Sequence, residues 1–217
     1  MATSLSNDKV LFLLLRFHFL DLLGVPGSAN NQLFFPYDIS VDFNSGTLYV
    51  ADSSNNRIMA YPSGVLTGTV AAGNNGAGTA SNQLNGPYCV HFDAGSNSLI
   101  IVNYNAHNVV RWVIGGSTWT LLVGVTGVAG FSNLHLHAPR DVILDSMGNI
   151  YVADSANHRV QFFKAGESNG TTIAGVTSSP GPASNQLNTP YGIALDSQFN
   201  LYVADTSNYR IQKFQRI

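Results

Sequence analysis

Eleven residues beginning at Leu48, LYVADSSNNRI, return almost unchanged as IYVADSANHRV at Ile150 and as LYVADTSNYRI at Leu201. Aligned on their acidic residue, Asp52, Asp154 and Asp205 leave one wide gap, whose midpoint LIIVNYNAHNVV fills with Asn103, so the interval is 51 residues throughout. A second anchor, the proline of PYDISVD, PYCVHFD, PRDVILD and PYGIALD, falls at Pro36, Pro87, Pro139 and Pro190. A third, NQL, begins at Asn31, Asn82 and Asn185, and NLHLHAP replaces it in the remaining copy. A fixed period of this length describes a series of like units, each burying a face on the next. The copies lie near 30–73, 81–125, 133–176 and 184–217.

Each copy holds four short runs with strand character. In the last, YGIALD sets Ile193 and Leu195 on one face, and NLYVAD divides Leu201 and Val203 from Tyr202 and Ala204. YRIQKF alternates more loosely, and the fourth run, seen earlier as TGTVAAG, TWTLLVG and TTIAGV, is missing from this copy. Between the runs lie DFNSGT, DAGSNS, DSMGN and DSQFN, rich in residues that accept positive φ or bond their own backbone. Between second and third runs, Asp52, Asp154 and Asp205 are placed to accept backbone N–H groups, and Arg57, Arg159 and Arg210 to brace the loop, so these six are read as structural. Four short antiparallel strands in about fifty residues make a blade, and the fold class is all-β, a β-propeller of about four four-stranded blades. Only 10% of residues are charged, against roughly 25% in an average domain, and 21 glycines fit many tight turns.

The pattern P-x-G-I-A-x-D … N-L-Y-V-A-D-x-x-N-x-R-I from Pro190 to Ile211 resembles the NHL repeat. That family usually closes with six blades. The resemblance therefore implies either a fragment of a six-bladed propeller or a four-bladed closure, in which LDLLGV from Leu20 supplies the outer strand that the last copy lacks. The second copy departs from the pattern at Asn103, Ala106 and Asn108, and a looser or differently braced hairpin is expected there. The propeller is taken as residues 20–217, preceded by an apolar segment, 1–19, read as a signal peptide or a ragged start. Arg16, His18 and Asp21 interrupt the apolar run KVLFLLLRFHFLDLLGV, so a membrane partner is disfavoured. If residues 1–29 act as a signal the chain is secreted, and the NGT sequon at Asn169 then matters; otherwise it is cytoplasmic.

In propellers of this kind the loop entering the innermost strand and the loop joining second and third strands emerge on one face. This brings together Tyr37, Tyr88, Arg140 and Tyr191, then Asp38, Cys89, Asp141 and Gly192, of which only Gly192 keeps the glycine that the family prefers. The second loop adds Asn56, His107, His158 and Tyr209. Aromatic rings and imidazoles with two carboxylates and one guanidinium suit a protein or a small polar ligand. The competing view is that each tyrosine packs beside its proline at the rim. Scaffold residues repeat, whereas a site breaks the repeat.

Other chemistries have less support. Net charge is −2 and three of the ten basic residues recur at one structural position, so no nucleic acid is expected, single-stranded RNA included. The lone Cys89 can form neither an internal disulfide nor a zinc module. His135 and His137 have the spacing of paired ligands but lack a third, so no metal and no cofactor is assigned. No Ser/His/Asp arrangement is evident, and GNNGAG from Gly73 lacks the lysine of a phosphate loop. The reading is a non-enzymatic binding or scaffold module. The resemblance keeps two alternatives open: a metal-dependent lyase of the peptidyl-hydroxyglycine type, and part of a larger NHL-containing ubiquitin ligase.

Overall fold

A computed structural model of the chain describes residues 25–215. Blade 1 comprises β1 (Pro36–Asp42), β2 (Thr47–Asp52), β3 (Arg57–Tyr61) and β4 (Thr69–Gly73). Blade 2 comprises β5 (Pro87–Asp93), β6 (Ser98–Asn103), β7 (Asn108–Val113) and β8 (Trp119–Gly124). Blade 3 comprises β9 (Asp141–Leu144), β10 (Ile150–Asp154), β11 (Arg159–Phe163) and β12 (Thr171–Gly175). Blade 4 has β13 (Pro190–Leu195), β14 (Leu201–Asp205) and β15 (Arg210–Phe214). Every blade is an antiparallel meander in chain order, with three strands in the described part of the fourth. The segment expected to complete that blade, LDLLGV, and the apolar segment 1–19 lie outside the described residues.

The core lies between blades, because a four-stranded sheet of this pattern is apolar on both faces. Tyr49, Ala51, Ile58 and Ala72 of blade 1 pack against Val90, Leu99, Ile101, Val110 and Trp112 of blade 2. Ile100, Val102, Val109 and Val123 of blade 2 meet Val142, Ile150, Val152 and Phe163 of blade 3. Ala153, Val160 and Ala174 of blade 3 meet Ile193, Leu201 and Val203 of blade 4. One leucine from each linker, Leu84, Leu136 and Leu187, is wholly buried in the seam it leads into, which explains the recurrent leucine of NQL.

The trailing face of blade 4 shows what this packing does. Ile58, Val109 and Val160 are fully buried, whereas Ile211 at the same repeat position is 68% exposed. Among the described residues the blades pack in series, first to fourth, and the strands of the fourth do not pack comparably on those of the first. They form an arc with that trailing face open.

Truncating a linker leucine should open a void that two rigid sheets cannot collapse to fill. Leu136→Ala is expected to lower stability by about 2–5 kcal/mol, read as a shift in the urea midpoint.

Candidate binding face

The site is built on the hairpin between second and third strands. Asp52 is fully buried; one carboxylate oxygen accepts the Phe34 N–H at 2.7 Å, and the other accepts Asn55 Nδ2 at 2.8 Å and Arg57 Nε at 2.7 Å. The rest of the Arg57 guanidinium donates to the carbonyls of Ser28, Ala29 and Gln32, which ties the incoming linker to the hairpin. Asp154 with Asn157 and Arg159, and Asp205 with Asn208 and Arg210, repeat the arrangement. In both copies the arginine again holds linker carbonyls.

Blade 2 does this with neutral groups. Asn103 Oδ1 accepts the Asn85 N–H at 3.2 Å, and Asn103 Nδ2 donates to Asn108 Oδ1 at 3.0 Å, both side chains being buried. No guanidinium reaches the linker here; instead the Trp119 indole donates to Gln83 O at 2.8 Å, the counterpart of the Gln32 carbonyl held by Arg57. The hairpin is braced differently, as its sequence implied.

The same hairpins clasp the next blade. Asn56, His107, His158 and Tyr209 all have left-handed backbones, with φ of 52°, 55°, 57° and 54°. Asn56 Oδ1 accepts the Gly86 N–H at 2.9 Å, His107 Nδ1 that of Ala138 at 3.1 Å, and His158 Nδ1 that of Thr189 at 3.1 Å. The three donors precede Pro87, Pro139 and Pro190, and they too have positive φ, 58° at Gly86, 47° at Ala138 and 54° at Thr189. A residue before proline resists this conformation, at a cost of about 1–3 kcal/mol when it is not glycine. At Ala138 and Thr189 the clasp from the preceding blade adds a hydrogen bond to that conformation, which Phe35 before Pro36 shares with φ of 50°. His107 and His158 thus stand at the seams with one ring nitrogen engaged, while Tyr209, 96% exposed, lies apart at the open end of blade 4.

The turned entrances place the next residues over the arc's inner mouth. Tyr37 stacks on Tyr88 with ring centroids 4.3 Å apart and an interplanar angle of 15°. The Arg140 guanidinium carbon lies 3.6 Å from the Tyr191 ring centroid and 5.1 Å from that of Tyr88, and Arg140 Nη1 donates to the Tyr88 hydroxyl at 3.3 Å. Tyr37, Tyr88, Arg140 and Tyr191, one from each blade, therefore form a continuous stack. A hollow of about 880 Å³ opens on all four. A smaller one, about 270 Å³, lies between Arg140, Ser155, His158 and Thr189. Burial pushes the Tyr88 hydroxyl above its ordinary pKa, partly opposed by Arg140.

Tyr104 was not among the residues singled out from sequence. Its ring centroid lies 5.8 Å from that of Tyr88 and 5.3 Å from the Arg140 guanidinium. It occupies the position of Ser53, Ser155 and Thr206 in the other copies, so its break with the repeat was the available signal.

Beneath the stack runs a layer that joins blades. Asp38 Oδ2 accepts the Val90 N–H at 3.0 Å, and Asp141 Oδ2 accepts that of Ile193 at 2.7 Å. Asp141 Oδ1 also takes the Val142 N–H at 2.8 Å and the Cys89 thiol at 3.3 Å. These carboxylates satisfy N–H groups on the inner edge of the following blade, where no further strand can pair. Burial pushes Asp141 up to about 6 despite its donors, and burial together with Asp141 and Asp38 raises the Cys89 thiol well above its usual value. His135 Nδ1 bonds Ser132 Oγ at 2.7 Å, while the His137 ring meets His107 edge-on at 5.5 Å. Among the described residues no group of three or more His, Cys, Asp or Glu side chains could hold a metal ion.

Residues 35–65, 136–163 and 187–214 match the NHL repeat, leaving unmatched the blade with the Asn103–Asn108 pair. Teneurin-1 of Caenorhabditis elegans is 24% identical over 86% of the chain, and the NHL repeat-containing protein 2 of Bos taurus is 32% identical over 58%. The chain spans only 8% and 19% of those proteins. Among solved structures, a Bacteroides thetaiotaomicron protein of unknown function superposes with a TM-score of 0.67 at 17% identity, over 82% of this chain and 46% of that one. A gluconolactonase of Xanthomonas campestris gives 0.64 at 19% identity, over 87% and 60%, and a streptogramin B lyase 0.62 at 12%, over 89% and 54%. These likenesses concern the fold, and the chain spans about half the length of the solved structures.

Two pH effects of opposite sign follow from the seams. Asp141 has a folded pKa of about 6 against an ordinary 3.8, so its contribution is complete below that ordinary value and is lost as pH rises to about 6. The loss amounts to ~3 kcal/mol. In Asp141→Asn this decline should vanish from urea midpoints measured across the window. His158 is held below its ordinary 6.5 by burial, so its clasp favours the fold above that value and is lost as pH falls through the depressed folded pKa. His158→Asn, copying Asn56, should keep the clasp and remove this acid sensitivity from thermal melts.

Proposed function

Because this chain is a β-propeller built on NHL repeats, we propose that it works as a binding or scaffold module whose loop face receives a protein or a small polar ligand. The observation that carries this reading is the stack of Tyr37, Tyr88, Arg140 and Tyr191. Its members come from equivalent positions in all four blades, yet one is a guanidinium in place of a ring, and they border one hollow. The bracing positions keep their chemistry from blade to blade, apart from the neutral pair in blade 2, and the stack does not. Aromatic rings already ordered by stacking lose little side-chain freedom on binding, which favours their use as anchors.

Asp38 and Asp141 support this face from below, and His107 and His158 hold its rim. Tyr209 belongs to a separate, outward position that a further blade or partner could cover. The fold also hosts enzymes, the gluconolactonase and the streptogramin B lyase among them. Turnover of a sugar lactone, lost in Tyr88→Ala, would replace the binding reading with a catalytic one.

The direct test is a fragment and peptide screen by ligand-observed NMR on the wild-type chain and on Tyr37→Ala/Tyr88→Ala. Binders are expected to lose at least about tenfold in affinity in the double variant, in line with the loss of a central aromatic anchor, while thermal stability stays close to wild type. Binders indifferent to both substitutions would show that the stack serves packing only.

A further inference from the structure

Five arginines lie within the described residues, and four are paired with a carboxylate: Arg57 with Asp52, Arg111 with Asp93, Arg159 with Asp154 and Arg210 with Asp205. Arg140 is the exception. Its side chain meets the rings of Tyr191, Tyr88 and Tyr104 and one tyrosine hydroxyl, and its buried Nε has no hydrogen-bond partner. Ring stacking covers the faces of a guanidinium and leaves its edge; with Nε buried, the edge that remains for a planar acceptor is the one formed by the two Nη groups. Asp141, next in sequence, does not neutralise it, because that carboxylate is turned to Val142, Ile193 and Cys89.

The larger hollow is otherwise neutral. Besides aromatic rings it offers Ser53, Ser54 and the amides of Asn56, Asn85 and Asn105, with no acidic side chain and no second cation among the described residues of its lining. One fixed positive charge in a neutral aromatic cavity matches one negative charge. A phosphomonoester carries about −1.5 to −2 at neutral pH and would be left half-compensated. A carboxylate is planar, carries a single charge, and accepts two parallel N–H bonds from a guanidinium edge.

Resting on the binding reading above, we infer that this mouth recognises a carboxylate borne on an apolar or aromatic group, with Arg140 as the charge partner and Tyr37, Tyr88 and Tyr104 as the flanking surface. The carboxylate belongs either to a free small acid or to a peptide; the recognition chemistry is the same.

Two matched pairs test it by calorimetric or NMR titration in low-salt buffer. The first is 3-phenylpropionate against 3-phenylpropanamide; the second is acetyl-Gly-Gly-Phe with a free C-terminus against its C-terminal amide. The acid of at least one pair is expected to bind about tenfold or more tightly than its amide, and the pair with the larger ratio identifies the source. Arg140→Gln should erase the ratio, and Arg140→Lys, which keeps the charge without the planar edge, should retain only part of it. Thermal melts confirm folding, and if Arg140→Gln does not fold, the Lys variant carries the comparison. Equal binding of acid and amide overturns the inference but leaves a binding mouth, as does phenyl phosphate binding tenfold more tightly than either acid. No binding by any of the four probes also overturns it. In that case the fragment screen decides whether the binding reading falls too.

Discussion

A fully buried carboxylate at the end of each second strand, or the asparagine that replaces it in blade 2, is the constraint on which the rest of the fold depends. Asp52, Asp154 and Asp205 share three hydrogen bonds, one from the linker that enters the blade, one from the hairpin asparagine and one from the hairpin arginine, and Asp205 accepts a fourth from Gln212. Burying a charge is costly unless it is paired and bonded, so the cluster is stable only as a whole. Once it is complete, the arginine's remaining donors fix the linker, and with it the angle at which the first strand begins. Blade 2 reaches the same geometry with Asn103, Asn108 and the Trp119 indole. What is required is satisfaction of the donors and acceptors, and the charge itself can be dispensed with.

From that fixed hairpin the blades are joined in two further ways. The residue closing each of the first three hairpins accepts an N–H from the positive-φ residue just before the next blade's proline. Asp38 and Asp141 bond the otherwise unpaired inner edge of the following blade. Each is a polar link at the rim of an apolar seam, so packing and hydrogen bonding specify the same relative placement of neighbouring sheets. The stack of Tyr37, Tyr88, Arg140 and Tyr191 sits one residue before this carboxylate layer, and its continuity over four blades depends on it. A binding mouth on this scaffold therefore inherits its rigidity from the seams.

Some of the candidate site could be read from sequence because repeats provide an internal comparison. Tyr37, Tyr88, Arg140 and Tyr191 share a position, and a propeller brings such positions together. The roles of His107 and His158 were hidden, since the N–H groups they accept belong to Ala138 and Thr189, 31 residues further on, across a seam. The left-handed turn before the proline was hidden for a similar reason: local preference opposes it at Ala138 and Thr189, where a histidine of the preceding blade accepts the N–H. Tyr104 could have been found, because it stands where the other copies carry serine or threonine.

The sequence alone determined the blade, its period, its strand order and the bracing role of Asp52, Arg57 and their counterparts, because these depend on contacts within one repeat and every repeat reports them again. The tertiary structure decided which polar groups are used up between blades and which stay free. Asp141 is engaged by the edge of blade 4 and its immediate neighbours, His158 by the entrance to β13, and Arg140 alone among the described arginines is left without a carboxylate. No periodicity carries that information, since it arises where different copies of the repeat meet.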